Sequence, residues 1–274
     1  MLNSISAQAK KLVALAQNAN KKKSKTKLLT ITSGKGGVGK STFSANIAYA
    51  LYEKGYKVCI IDADIGLANM QVLLNVKPTY TLYDYIDNKI NLEQLYTNII
   101  DDKLCLVAGK SGLKYNNHSG SYIYTRVVED IISDEKFDYI IVDTGAGLND
   151  FVKEFLSISE HILAITTTDP SALTDMYAMM KLLSNDKSKL FLCFNHTANF
   201  KVGQTICDSL VKLGHKNRLN QNFMVKYIGN VQTCNNISTT GRLRKLYVKE
   251  FRNNDSTLQL KKVVDELVKQ IELG

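Results

Sequence analysis

No two of the five cysteines (Cys59, Cys105, Cys193, Cys207, Cys234) form a C-x-x-C pair. The chain therefore offers no paired thiols for a zinc or iron–sulfur site, and scattered thiols point to a reducing compartment. Cys59 and Cys193 fall inside apolar runs, where a thiol serves as a small core residue. No apolar stretch approaches the ~20 residues that span a bilayer, and no signal-peptide h-region opens the chain. These absences predict a cytoplasmic protein. Acid is missing from residues 1–27, which hold Lys10, Lys11, Lys21, Lys22, Lys23, Lys25 and Lys27. Those lysines supply most of the net charge of +9 and leave the rest nearly neutral. Such an arm matches an acidic partner such as anionic lipid, nucleic acid or another protein, or else serves as a solvated tail.

What is present is a long apolar alternation. With 274 residues, 45% of them hydrophobic, the chain can bury one large core. Ile5, Ala9, Leu12 and Ala16 fall at helical spacing, and the polar stretch from Asn18 to Thr26 reads as a linker. Beyond it lie short Ile-, Val- and Leu-rich runs: Lys57–Asp62, Leu104–Ala108, Tyr139–Asp143, Ile162–Thr166, Leu190–Asn195 and Lys226–Ile228. Helical patterns such as Ser171–Leu183 and Gly203–Leu213 separate them. The expected fold is α/β, a doubly wound, mostly parallel sheet with helices on both faces. Such folds bind ligands at the carboxyl ends of their strands.

At the end of the run Leu28–Thr32 stands Gly34-Lys35-Gly36-Gly37-Val38-Gly39-Lys40-Ser41, and the helical pattern Thr42–Lys54 follows. Strand, glycine-rich turn and helix make the context of a phosphate cradle, in which backbone N–H groups converge on an anion. Lys40 would reach the β- and γ-phosphates and the Ser41 hydroxyl would ligate Mg²⁺. Gly34, Gly36 and Gly39 also satisfy a dinucleotide fingerprint, but that reading leaves Lys40-Ser41 without a purpose. A nucleoside triphosphate accounts for the whole segment.

Two further strand ends carry acids. Asp62 and Asp64 follow Val58–Ile61, one to orient the metal or its water and the other the attacking water. Asp143 follows Tyr139–Val142 and precedes Thr144-Gly145-Ala146-Gly147, a metal-side acid ahead of a flexible loop. Lys35 has no task in a simple phosphate loop. With Lys40 occupying the space beside the nucleotide, Lys35 is better placed to serve a nucleotide on a second subunit, as an arginine finger does.

Lys35 with Gly36 to Thr42 resembles the deviant Walker A motif of the MinD/ParA ATPases, and the similarity extends over most of residues 27–250. Within that superfamily the chain is similar to the FlhG (FleN or YlxH) group of flagellar regulators. The segments Asp62–Asn69, Asp143–Gly147 and Thr174–Ala178 carry this, and Gly145 stands where cell-division members usually have proline. The resemblance implies residues 1–26 as an amino-terminal helix and basic linker, and 27–274 as a P-loop ATPase domain ending in an amphipathic helix. It implies ATP/ADP and Mg²⁺ as cofactors and an ATP-dependent homodimer with Lys35 acting in trans. Gly34 to Thr42 would bind nucleotide, Lys40, Ser41 and Thr42 holding phosphates and Mg²⁺. Asp64 would position water and Asp143 would couple the γ-phosphate to the switch loop. Asn195 matches the position that reads the adenine edge, a task suited to an amide that both donates and accepts; as residues alone, a strand-end turn is an equal reading.

Three departures stand out. Ala7-Gln8-Ala9-Lys10-Lys11-Leu12-Val13 resembles the segment that activates the FlhF GTPase but lacks its terminal acid and arginine. Tyr227 to Gln232 lacks the proline and acid common beside the adenine. Leu258, Val263, Val264, Leu267, Val268 and Ile271 mark a carboxy-terminal helix without Phe or Trp, which favours packing over membrane binding. The expected function is an ATP-driven spatial switch for flagellar number and placement, with FlhF, basal-body proteins and an anionic membrane surface as partners. The alternative is a ParA-like protein coating DNA through Arg242-Leu243-Arg244-Lys245 and the lysine arm. A cluster-loading enzyme is a further alternative, which the unpaired cysteines oppose.

Overall fold

The computed structural model describes residues 25–64, 69–109, 123–217 and 219–273. The expected amino-terminal helix, nearly all of the basic arm, and Ile65–Ala68 lie outside the described residues. Strand β1 (Lys27–Ser33) runs through the glycine loop into α1 (Lys40–Glu53), and β2 (Val58–Ala63) follows. Short helices α2 (Met70–Leu73), α3 (Leu82–Ile86) and α4 (Leu92–Leu95) precede β3 (Thr97–Asn98) and β4 (Leu104–Val107). Next come α5 (Ile123–Ser133), β5 (Tyr139–Ala146), α6 (Asp150–Ile158), β6 (His161–Thr166) and α7 (Pro170–Leu183). The chain ends with β7 (Lys189–Thr197), α8 (Phe200–Lys216), β8 (Met224–Gln232), α9 (Asn235–Arg242), α10 (Tyr247–Glu250) and α11 (Asp255–Glu272).

The strands form one eight-stranded sheet in the order β3-β4-β2-β5-β1-β6-β7-β8. Every pairing is parallel except β3 with β4. Strands β2 and β4 are buried at every position, as runs of Val, Ile, Leu and Cys require when helices cover both faces. Successive side chains of β1 serve opposite layers. Leu29 and Ile31 pack with α1, α10 and α11, whereas Leu28 joins the core beneath α3 to α6. A third cluster links α6, α7 and α8 to β6 and β7 through Val152, Met176, Met180 and Cys207.

Helix α11 packs on the domain, as its composition favours. Leu260, Val263, Val264, Leu267 and Ile271 are buried on its inner stripe, and Lys261 pairs with Glu53 of α1 at 3.0 Å. Its seat on β8 is close: Gly229 has φ +138°, and a Cβ there would lie 2.7 Å from Val263 Cγ2. Among the described residues, no helix is long and apolar enough to cross a membrane. Strand β1 lies inside the sheet, bonded to β5 and β6, so its carboxyl end delivers the glycine loop between strand ends on either side. That placement builds the site.

Candidate functional site

Gly34 to Gly39 wrap from β1 to the start of α1. Gly37 and Gly39 have φ of +79° and +93°, left-handed conformations that turn successive N–H groups into the loop. Gly39 caps α1 without a side-chain hydrogen bond, so the free N–H groups of the first turn face the loop. Gly34 is needed for a different reason. A Cβ there would stand 2.7 Å from the backbone carbon of Asp175 on α7, which lies against the loop.

Lys40 heads α1 and is buried, with Nζ 3.2 Å from Asp143 Oδ1 and 3.5 Å from Ser41 Oγ. Ser44, one turn further along the same helix face, donates to the same Asp143 oxygen at 2.7 Å. Asp143 and Asp62 are direct partners in the parallel register of β5 and β2. The site thus gathers Lys40, Ser41, Asp62, Asp64 and Asp143 at three strand ends. Ser44 belongs to no motif that the sequence displays, although its position four residues after Lys40 places it on the same helix face.

Asp62, expected at the metal, accepts two backbone hydrogen bonds. Its Oδ1 accepts from the Asp64 N–H at 3.2 Å and its Oδ2 from the Met70 N–H at 3.0 Å. It therefore bonds the backbone at both ends of the segment between β2 and α2, and the residue is 2% exposed. Burial pushes Asp62 up to about 7, helped by the charges of Asp143 and Asp64 and opposed by the two N–H donors. Burial also raises Asp64, where the Lys40 ammonium works against the shift and Asp143 with it. Asp64 leans over β5, and a Cβ on Gly145 would come within 3.1 Å of its Oδ1. The glycine leaves room that a side chain would take.

Lys35, expected to serve a second subunit, is held within its own chain. Its Nζ pairs with Asp169 Oδ2 at 2.9 Å and also bonds Ser171 Oγ, at the start of α7. This pair holds Asp169 below the usual carboxylate range, chiefly through the Lys35 hydrogen bond. A separation of 134 residues hides the partnership from any local pattern.

Asn195 lies against the loop rather than apart from it. Its Nδ2 donates to the Val38 carbonyl at 2.9 Å, and a Cβ on Gly39 would collide with that amide nitrogen. Its Oδ1 is buried and has no partner. The oxygen is thus left to accept, while one of the two amide hydrogens is engaged by Val38. In place of a proline and an acid, Gln232 donates to the Ala198 carbonyl at 3.0 Å and accepts from Gln259 of α11 at 2.9 Å.

The residues fit a nucleoside triphosphate with Mg²⁺. Left-handed glycines open a backbone cradle, a buried lysine waits on an acid beside it, and an orphaned amide oxygen flanks it. Ser41 and Asp143, with Asp62 beside them, are groups that could hold the metal.

A family profile described as ParA, NUBPL iron-transfer P-loop NTPase, matches residues 24–268. The flagellum site-determining protein YlxH of Helicobacter pylori is 38% identical over 255 residues, 92% of this chain and 85% of that protein. The antiactivator FleN of Pseudomonas aeruginosa is 35% identical over 58% of this chain and 57% of its own length. Among solved structures, the cell division ATPase MinD of Pyrococcus furiosus superposes with a TM-score of 0.76 at 22% identity, covering 89% of this chain and 99% of that one. The septum site-determining MinD of Pyrococcus horikoshii, complexed with Mg-ADP, gives 0.75 at 22% identity, over 90% and 98%. These two likenesses establish the doubly wound fold. The glycine loop, the acids at its neighbouring strand ends and the matched length lead to one conclusion: the chain belongs to the ParA/MinD family of P-loop NTPases.

Proposed function

We propose that this chain is an ATP-hydrolysing, dimerising switch that regulates flagellar number or placement. The observation that carries the proposal is its likeness to YlxH over most of both chains. The site supports it with a phosphate cradle and a second, exposed lysine in the glycine loop.

The residues divide the work. Backbone N–H groups of Gly36 to Lys40, with the Lys40 ammonium, hold the phosphates and neutralise their charge. Lys40 then turns from Asp143 to the triphosphate, and Ser44 keeps Asp143 oriented. Mg²⁺, when bound through Ser41 and Asp143, supplies Lewis-acid stabilisation of the phosphoryl oxygens. Asp64 positions the attacking water, its room secured by Gly145. Asp62 fixes the ends of the segment that follows. Lys35 leaves Asp169 and Ser171 to serve the nucleotide of a second subunit. Both pair members are substantially exposed, so solvent screens the pair and little opposes its release.

An FlhF-like GTPase, basal-body proteins and an anionic membrane surface are the partners we assign. A DNA-coating reading draws on one observation: Arg242, Leu243, Arg244 and Lys245 are all exposed on one turn. Sedimentation with anionic liposomes, with and without ATP and with duplex DNA as competitor, separates the two. ATP-dependent pelleting that DNA does not reverse supports the flagellar switch. Pelleting lost to DNA, or salt-steep DNA binding without a lipid effect, supports the DNA reading.

A further inference from the structure

His196 has no part in the chemistry above, yet the fold places it with unusual care. It follows Asn195 at the carboxyl end of β7, where the register with β8 shifts between Phe194 and Thr197. Its φ is +54°, a left-handed conformation that a histidine adopts at some cost. Asn195 and Thr197 on either side are buried, whereas His196 stays open to solvent. The irregular turn brings its ring to the nucleotide loop, with Nε2 4.0 Å from where a Gly39 Cβ would stand. Partial desolvation holds the imidazole below its ordinary value, which favours the uncharged ring. A flat, uncharged ring with one open side, beside the cap of α1, suits the face of a base or the rim of its sugar. Strain kept at a ligand-facing residue is also where folds tend to store it.

We propose that His196 is a nucleoside-contacting residue, its imidazole packing against the base of the nucleotide held by the glycine loop. Packing of this kind reads the π-face and not the edge, so it strengthens binding without choosing the base. Edge reading belongs to the buried Oδ1 of Asn195 beside it. The inference rests on the nucleotide reading of the loop, and the test separates the two.

The experiment is equilibrium binding of ATP, GTP and inorganic tripolyphosphate to the full chain, comparing wild type with H196N, H196F and Lys40→Ala. Asparagine tolerates the left-handed backbone, so H196N removes the ring while the turn persists. Removing the ring is expected to weaken ATP and GTP alike by about tenfold, the scale of one base–aromatic stack. Tripolyphosphate affinity should stay unchanged, and H196F, which keeps a flat ring at the cost of a strained backbone, should bind nucleotide more tightly than H196N. Unchanged ATP affinity in H196N, alongside a Lys40→Ala variant that binds nothing, overturns the role of His196 and leaves the loop assignment intact. An equal loss for tripolyphosphate overturns it too, since the turn would then serve the cradle. Wild type that binds neither nucleotide nor tripolyphosphate overturns both readings.

Discussion

Gly145 tests the placement of Asp64 most directly. A Cβ at this position would lie 3.1 Å from Asp64 Oδ1, where ordinary carbon–oxygen contact begins near 3.4 Å. Gly145 is not in the left-handed region, so alanine fits its backbone and the added methyl acts on Asp64 alone. The carboxylate must then give by roughly 0.3 Å. Misplacement by about 1 Å costs on the order of a hundredfold in rate, so a third of that costs roughly fourfold. Gly145→Ala should therefore lower kcat about fourfold while ATP affinity and ATP-driven dimerisation hold. Single-turnover hydrolysis measures the first, and calorimetry with sedimentation velocity the others. An unchanged rate would mean that Asp64 does not work from the position seen here. A matching loss of ATP affinity would mean that the β5 loop carries nucleotide binding instead.

Other substitutions probe the remaining groups. Lys40→Ala should abolish ATP binding and also lower stability by about 3–5 kcal/mol, because it strips a buried partner from Asp143; calorimetry and urea unfolding report the two effects. Lys35→Ala should bind ATP as a monomer and lose the ATP dimer, which sedimentation velocity reads; a dimer of wild-type affinity refutes the trans role. Asp62 makes the ligand-free protein pH-sensitive. Its folded pKa of about 7 lies above the ordinary carboxylate value, so the folded state holds the proton that the unfolded chain has lost. Stability should rise as pH falls from about 7 toward 4, by up to about 1.4 kcal/mol per pH unit, and Asp62→Asn should flatten that slope in urea titrations.

The sheet is legible in the sequence because parallel strands buried on both faces leave continuous apolar runs, and β2, β4 and β6 stand within a residue or so of those runs. Edge strand β8 shows only the short run Lys226–Ile228 although it extends over Met224–Gln232. Lys226 and Asn230 interrupt its pattern, as a strand paired on one side allows. Helices α2, α3 and α4 span four or five residues each, too few for a periodicity to show. In the site, the legible groups are those whose members lie near one another in sequence: the glycine loop, the Asp62–Asp64 pair and the loop after Asp143. What stays hidden depends on close approach across long separations. Asp169 under Lys35, Asp175 against Gly34 and Val38 against Asn195 are set by how α7 and β7 pack around β1, and no local pattern encodes that.

Asn195 turns one such approach into a preference between bases. The Val38 carbonyl can only accept, so it fixes which end of the amide faces it, and Oδ1 is left as a buried acceptor without a donor. A buried acceptor without a donor costs about 1–3 kcal/mol. An adenine seated against Asn195 can relieve that cost through its exocyclic amino group, whereas guanine presents a carbonyl at the same place and sets acceptor against acceptor. Wild type should therefore prefer ATP to GTP by roughly ten- to a hundredfold. Asn195→Ala should bring the two within a few-fold by losing ATP affinity, in contrast to H196N, which lowers both together. Competition binding of the two nucleotides reads the ratio directly. A wild type that takes GTP as well as ATP would show that the orphaned oxygen is satisfied elsewhere and that the base lies off the end of β7.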